Sequence, residues 1–75
     1  EGQGTAKDLS RALRWFEKAA EQGHPDAQCN CGTFYFNGQG TERDPAKAKF
    51  WFAKAAAQGD AFAKQVLEEH FKDEG

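Results

Sequence analysis

Seventy-five residues make one small domain at most. Such a domain buries only about 60% of the surface its unfolded chain exposes, which excludes a large enzyme cleft. Ten basic and twelve acidic residues, interspersed to a net charge of −2, give no basic stripe to neutralise phosphates, so nucleic acid and anionic membrane surfaces are not expected partners. No apolar run approaches the roughly 20 residues of a membrane span, so membrane insertion is not expected.

The apolar residues are unusual: thirteen Ala and ten aromatics stand against three Leu, one Val and no Ile or Met. A core of large rings set among small alanines is therefore expected. The chain also repeats itself at an offset of 36 residues, with 14 identities over 39 aligned pairs. Gly2, Gln3, Gly4, Thr5 and Asp8 return as Gly38, Gln39, Gly40, Thr41 and Asp44. Ala12, Trp15, Phe16, Lys18, Ala19, Ala20, Gln22, Gly23 and Ala27 return as Ala48, Trp51, Phe52, Lys54, Ala55, Ala56, Gln58, Gly59 and Ala63.

In chain order, residues 1–7 read as a linker of the kind that follows a preceding repeat, and residues 8–37 as a first helical hairpin. Its helices are predicted over about 8–22 and 25–36, the first N-capped by Asp8 and closed at Gly23, the second restarting at His24-Pro25-Asp26. Asn37-Gly38 stops that helix, and residues 38–43 form a second linker. The second hairpin, residues 44–73, has predicted helices over about 45–58 and 61–72, with Asp44 as N-cap, Pro45 at the first helical position and Gly59 as the turn. Helices joined this tightly fold back antiparallel, so the fold class is all-α, an α/α solenoid of two stacked antiparallel hairpins.

At about 100° per residue, Ala12, Trp15, Phe16, Ala19, Ala20 and Gly23 share one face of the first helix, expected to be the core face, with Ser10, Arg14, Glu17 and Glu21 opposite. The next helix turns Ala27, Cys31, Phe34 and Tyr35 inward. Gly32 sits in its middle at a cost of about 1 kcal/mol against Ala, which points to close approach of another backbone. Glu68 and His70 stand where the first unit has Gly32 and Phe34, the polar substitutions of a terminal, solvent-facing repeat.

These residues resemble the Sel-one-like repeats, tetratricopeptide-related helical repeats of about 36 residues. The stretches that carry the resemblance are Gly38-Gln39-Gly40-Thr41 with Asp44, Lys47-Ala48, Trp51, Lys54-Ala55-Ala56 and Gln58-Gly59, with Ala27-Gln28, Gly32 and Tyr35. It covers almost the whole chain, departing at Cys31, Thr41 and the last helix. The resemblance implies a right-handed superhelix with first helices lining a concave face, and a role as a protein-binding scaffold or adaptor. Because stacked arrays usually need three or more units, the chain is expected to be a C-terminal piece of a longer array.

On that concave face Ser10, Arg14, Glu17 and Glu21 of the first unit become Ala46, Phe50, Ala53 and Ala57 in the second. An aromatic flanked by alanines makes a shallow socket for an apolar side chain or helix, and Arg14 and Glu17 beside it would orient a partner by charge. Phe50, Ala46, Ala53, Ala57, Arg14 and Glu17 are therefore the candidate partner-binding residues, with a protein or peptide as partner and no small-molecule substrate expected. Two alternatives stand beside this: Phe50 packing on Trp51 neighbours, and a purely structural capping role for both repeats.

Cys29 and Cys31, two apart on a helix, point about 200° from each other and cannot be bridged; Cys31 is expected in the core and Cys29 near the repeat interface. Free thiols lean toward a reducing compartment. No metal or other cofactor is expected, since His24 and His70 are unsuitably spaced for zinc. No catalytic residues are assigned and no enzymatic activity is expected: His24 reads as a helix cap, His70 as core-facing, and no phosphate loop exists.

Overall fold

The computed structural model describes residues 6–71, which form four helices: α1 (Ala6–Glu21), α2 (Pro25–Asn37), α3 (Pro45–Ala57) and α4 (Ala61–His70). Residues 1–5 of the linker expected over 1–7, and residues 72–75, lie outside the described residues, while Ala6 and Lys7 open α1 and are not linker. Local chemistry sets most of the boundaries. Asp44 Oδ1 accepts from the Lys47 amide at 3.2 Å and Asp60 Oδ1 from the Ala63 amide at 2.9 Å, capping α3 and α4. Pro45 opens α3 and Pro25 opens α2 where no donor is missed. Gly38 (φ 72°) ends α2 in the left-handed conformation.

Two expectations about helix starts change. Asp8 is the third residue of α1 and not its N-cap, because the helix begins at Ala6. His24 occupies the N-cap position of α2 but its side chain makes no capping bond.

In chain order α2 packs against both α1 and α3, and α3 also packs against α4, while Phe36 of α2 meets His70 and Phe71 at the end of α4. The Cα envelope measures 39 × 25 × 17 Å. Rings and small residues fill the core: Phe52, Trp51, Tyr35 and Phe71 lie among Ala20, Ala27, Ala48, Ala55, Ala63, Cys29 and Cys31, with Leu13 from α1. Leu13 has no counterpart in the duplication, its equivalent being Lys49.

The joint between the hairpins is the contact of Gly32 with Phe52. A Cβ added at Gly32 would stand 2.8 Å from three carbons of the Phe52 ring, so the close approach predicted from the glycine is to a buried ring and not to a backbone. Polar bonds complete the joint. Gln58 Nε2 donates to Gly23 O at 2.9 Å and to Gln28 Oε1 at 3.0 Å, and buried Gln28 in turn donates to Ala20 O at 3.0 Å. Gln28 is thus satisfied although it is almost fully buried. The linker is held by Arg43, whose Nε donates to Phe36 O at 2.9 Å and whose guanidinium lies 5.4 Å from the Phe36 ring centroid.

Gly40 carries the tightest constraint in the linker. Its φ is +71°, and a Cβ there would lie 2.5 Å from the Leu9 carbonyl carbon, backbone that cannot move aside. Gly40→Ala is therefore expected to destabilise the fold more than Gly32→Ala. At Gly32 a helix-propensity gain of about 1 kcal/mol opposes an overpacking cost of about 1–3 kcal/mol. Urea denaturation of both variants gives the order, and a Gly40→Ala chain as stable as the parent would refute the linker packing.

Candidate functional site: the face of the first helices

Phe50 lies on α3 one residue, about 100° of helix rotation, from Trp51. That single step separates the core from solvent: Trp51 is 8% exposed and Phe50 is 53% exposed. The Phe50 ring meets Trp51 edge-on at a centroid distance of 5.1 Å, and Lys54 Nζ lies 5.3 Å from its centroid. Ala46, Ala53 and Ala57 are exposed along the same helix. Phe50 thus makes a ring contact with Trp51 and keeps about half of its surface open.

Arg14 is exposed and lines a shallow cleft of about 260 Å³ on α1 with Arg11, Trp15 and Lys18. Glu17 is placed differently from its sequence reading. It is half-buried, and its Oε2 accepts a hydrogen bond from the Tyr35 hydroxyl of α2. Lys47 Nζ of α3 lies 5.3 Å from the centroid of the same Tyr35 ring. Tyr35 therefore ties α1 and α3 together through α2, and Glu17 is spent on that tie. The Tyr35 hydroxyl is pushed above its ordinary range, by burial first and then by the Glu17 carboxylate it faces.

Trp15 is a second correction. Helical phase puts it on the core face with its equivalent Trp51, yet it is 72% exposed, with Lys18 Nζ 5.9 Å from its ring centroid. The Trp-Phe pair and its flanking alanines are the same at both places, but α3 has α2 against it and the described α1 has no helix in the corresponding position. The ring–lysine contacts had a legible signal, since Lys18 and Lys54 follow their rings by three and four residues. The Tyr35–Glu17 bond joins residues 18 apart and had none.

The other candidate groups are accounted for by packing. His70 is exposed and not core-facing, its ring 5.1 Å from that of Phe36. Cys31 is fully buried, and Cys29 lies at the repeat interface, its Sγ 3.4 Å from Asp60 Oδ1. Both thiols are free, and both are pushed up to about 12 from 9.0, first by burial, then for Cys29 by Asp60 and for Cys31 by Glu17 and Glu21. Among the described residues no three His, Cys, Asp or Glu side chains stand close enough to hold a metal ion. No helix of the described residues is long and apolar enough to cross a membrane.

A duplicated pair of short helices with a glycine joint and an open first-helix face defines a helical-repeat scaffold. The family described as Sel1 repeat matches residues 1–24 and 25–60, and the chain belongs to it. Its matched unit runs from α2 through the linker to α3, so the Gly32–Phe52 joint falls within one unit of the family pattern. The fold is similar to the crystal structure of a Sel1 repeat protein from Oxalobacter formigenes, with a TM-score of 0.80 and 43% identity over 92% of this chain. The chain spans 20% of that protein's length. No curated protein matches significantly. Sel1 repeats are generally protein-interaction or scaffold modules, and the family is a non-catalytic repeat scaffold.

The thiols generate a pH prediction. Below about 9 both folded and unfolded chains keep S–H and the groups have no effect; above it the unfolded chain ionises while the folded chain holds its protons up to about 12. Stability is therefore expected to fall as pH rises through that window, as read by urea midpoints. Alkylation of the native chain at pH 8 is expected to be slower than that of the unfolded chain by roughly a hundredfold or more. Equal rates would contradict the burial of both thiols.

Proposed function

We propose that this chain is a protein-interaction module that receives a protein or peptide on the face of α1 and α3, with Phe50 as its anchor. The observation that supports this is a large ring left half in solvent on an otherwise well-packed helix, between exposed Ala46, Ala53 and Ala57. Small neighbours leave the ring's flank open, so an apolar side chain of a partner could sit against Phe50 beside Lys54. Lys54 beside the ring and Arg14 on α1 supply charge to orient the partner. Glu17 serves the scaffold by holding Tyr35, so its part in binding is indirect. No catalytic role enters this reading.

The polar outer surface of α4, where Lys64, Gln65, Glu68 and Glu69 are exposed, favours a capping role for that helix. Capping by α4 and binding on α1 and α3 use different faces and are compatible.

Phe50→Glu is expected to leave the melting temperature nearly unchanged, as a surface change costs within about 0.5 kcal/mol. It should weaken the partner by about 2 kcal/mol, roughly thirtyfold in Kd, because it removes a central apolar anchor. Affinity capture with the parent chain and with Phe50→Glu, followed by titration of the captured protein, reads the difference. A partner bound equally by both would rule out this face.

A further inference from the structure

The second helices of the two hairpins leave a groove between them. α2 and α4 meet where Phe36 touches His70 and Phe71, and the groove runs from there over the buried Phe52 ring of α3. It consists of two clefts that share Thr33 and Phe62. The first, about 440 Å³, holds Asp26 and Asp60 at the starts of α2 and α4; the second, about 270 Å³, holds Val66 and Glu69. Walls and floor come from α2, α3 and α4 alone, so nothing outside the described residues is needed to form it.

Packing does not account for what lines this groove. Phe62 and Val66 stand where the first unit has Asp26 and Asn30, so the repeat does not dictate these positions. Phe62 is 56% exposed, although its ring meets Phe52 edge-on at 6.3 Å between centroids. The charges have one sign: Asp26, Asp60 and Glu69 line the groove, and among the described residues no lysine or arginine does. Asp60 accepts from the Ala63 amide and the Cys29 thiol, and Glu69 from the Gln65 side chain, neutral donors that leave the carboxylate charge in place. Burial first, then Asp60 and Asp26, push the Cys29 thiol up to about 12, so the field of both carboxylates reaches the groove wall.

We infer that this groove is a docking surface, separate from the Phe50 face, and that its occupant is a basic amphipathic α-helix of a protein partner. Charge complementarity sets the sign, and the spacing of the lining residues sets the pattern. Glu69 follows Asp60 by nine residues, about 14 Å of helical rise, with Phe62 and Val66 between them. A partner helix laid with its i, i+4, i+8 ridge inward covers about 12 Å. Its lysine or arginine at i meets Asp26 and Asp60, its apolar residue at i+4 rests on Phe62, and its second cation at i+8 lies beside Glu69. The stem of the first cation runs along the exposed Phe62 ring, which favours a long basic side chain over a free ion. An acidic helix would meet like charge, and a purely apolar one would strip water from three carboxylates without replacing it. The Phe50 face, with Lys54 and Arg14, carries the opposite sign, so the two surfaces select different partners. Lys64 and Glu68 stand outside the groove, which leaves the capping role of α4 untouched.

A synthetic alanine-based helix with Lys at i, Leu at i+4 and Lys at i+8 is the probe, labelled for fluorescence anisotropy and titrated with the full chain. The same peptide with Glu for both Lys is the charge control. The Lys peptide is expected to bind about tenfold or more tightly than the Glu peptide, with amide chemical-shift changes centred on Asp26, Thr33, Phe62, Val66 and Glu69. Phe62→Ser and Asp26→Lys should each weaken it by about tenfold, and the Asp26→Lys chain should prefer a peptide with Glu at i. Glu42→Lys makes the same charge change at an exposed linker residue outside the groove, and should alter the affinity by less than about twofold. No binding, equal affinity for the Lys and Glu peptides, shift changes confined to α1 and the Phe50 side of α3, or a loss with Glu42→Lys as large as with Asp26→Lys would overturn the inference. So would self-association of the chain in sedimentation velocity that Asp26→Lys abolishes, because the occupant would then be a second copy.

Discussion

The distance between the two hairpins is set by one contact, the Phe52 ring lying on Gly32. Because the ring is almost wholly buried and the glycine has no side chain to retract, neither partner can give way. The remaining composition follows from that closeness. Helices brought so near leave room only for small residues around the ring, which is where Ala48, Ala55 and Cys31 are found, all fully buried. Branched aliphatics would hold the helices apart, and their scarcity in the sequence is the counterpart of this joint.

Four short helices enclose only a small core, and polar ties carry part of the cohesion. Gln58 reaches Gln28 and Gly23, Cys29 reaches Asp60, and Tyr35 joins Glu17 on one side to Lys47 on the other. Each of these crosses between helices, so each reports the register of the stack. Gln28 and Tyr35 are buried and bonded, which makes a shifted register costly because their polar atoms would lose partners without gaining water. The joint fixes distance and the polar ties fix register.

The helices and their stops were legible in the sequence because their causes are local. Asp44, Asp60, Pro25, Pro45 and Gly38 act within a turn of where they stand. The repeat made the stacking legible as well, since helices that return with the same pattern meet the same neighbours. It did not carry over where the described residues place no helix opposite one copy. Trp15 and Trp51 occupy the same repeat position beside the same Phe and alanines, yet one is exposed and the other buried, since burial is a property of what lies opposite. Glu17 misled for a related reason: helical phase placed it with Arg14 and Glu21, but Tyr35 approaches from another helix and claims it. In the candidate site Phe50 was legible because the comparison of units isolates positions that packing does not dictate. Arg14 and Phe50 differ, whereas Trp15 and Trp51 do not.

That distinction bears on how a repeat of this kind supports recognition. Phe50 and Trp51 are adjacent in sequence and in edge-to-face contact, but they answer to different constraints. Trp51, Phe52, Ala48 and Ala55 are held by the α2 joint, and changing them opens the core. Phe50, Ala46, Ala53 and Ala57 project from the other side of the same helix, where the first unit substitutes Arg14, Ser10, Glu17 and Glu21. Within one chain the scaffold tolerates arginine or phenylalanine at the same site with its helices intact. A surface free in this sense can be specified by a partner alone, and its aromatic side chain is exposed at a cost that packing does not explain.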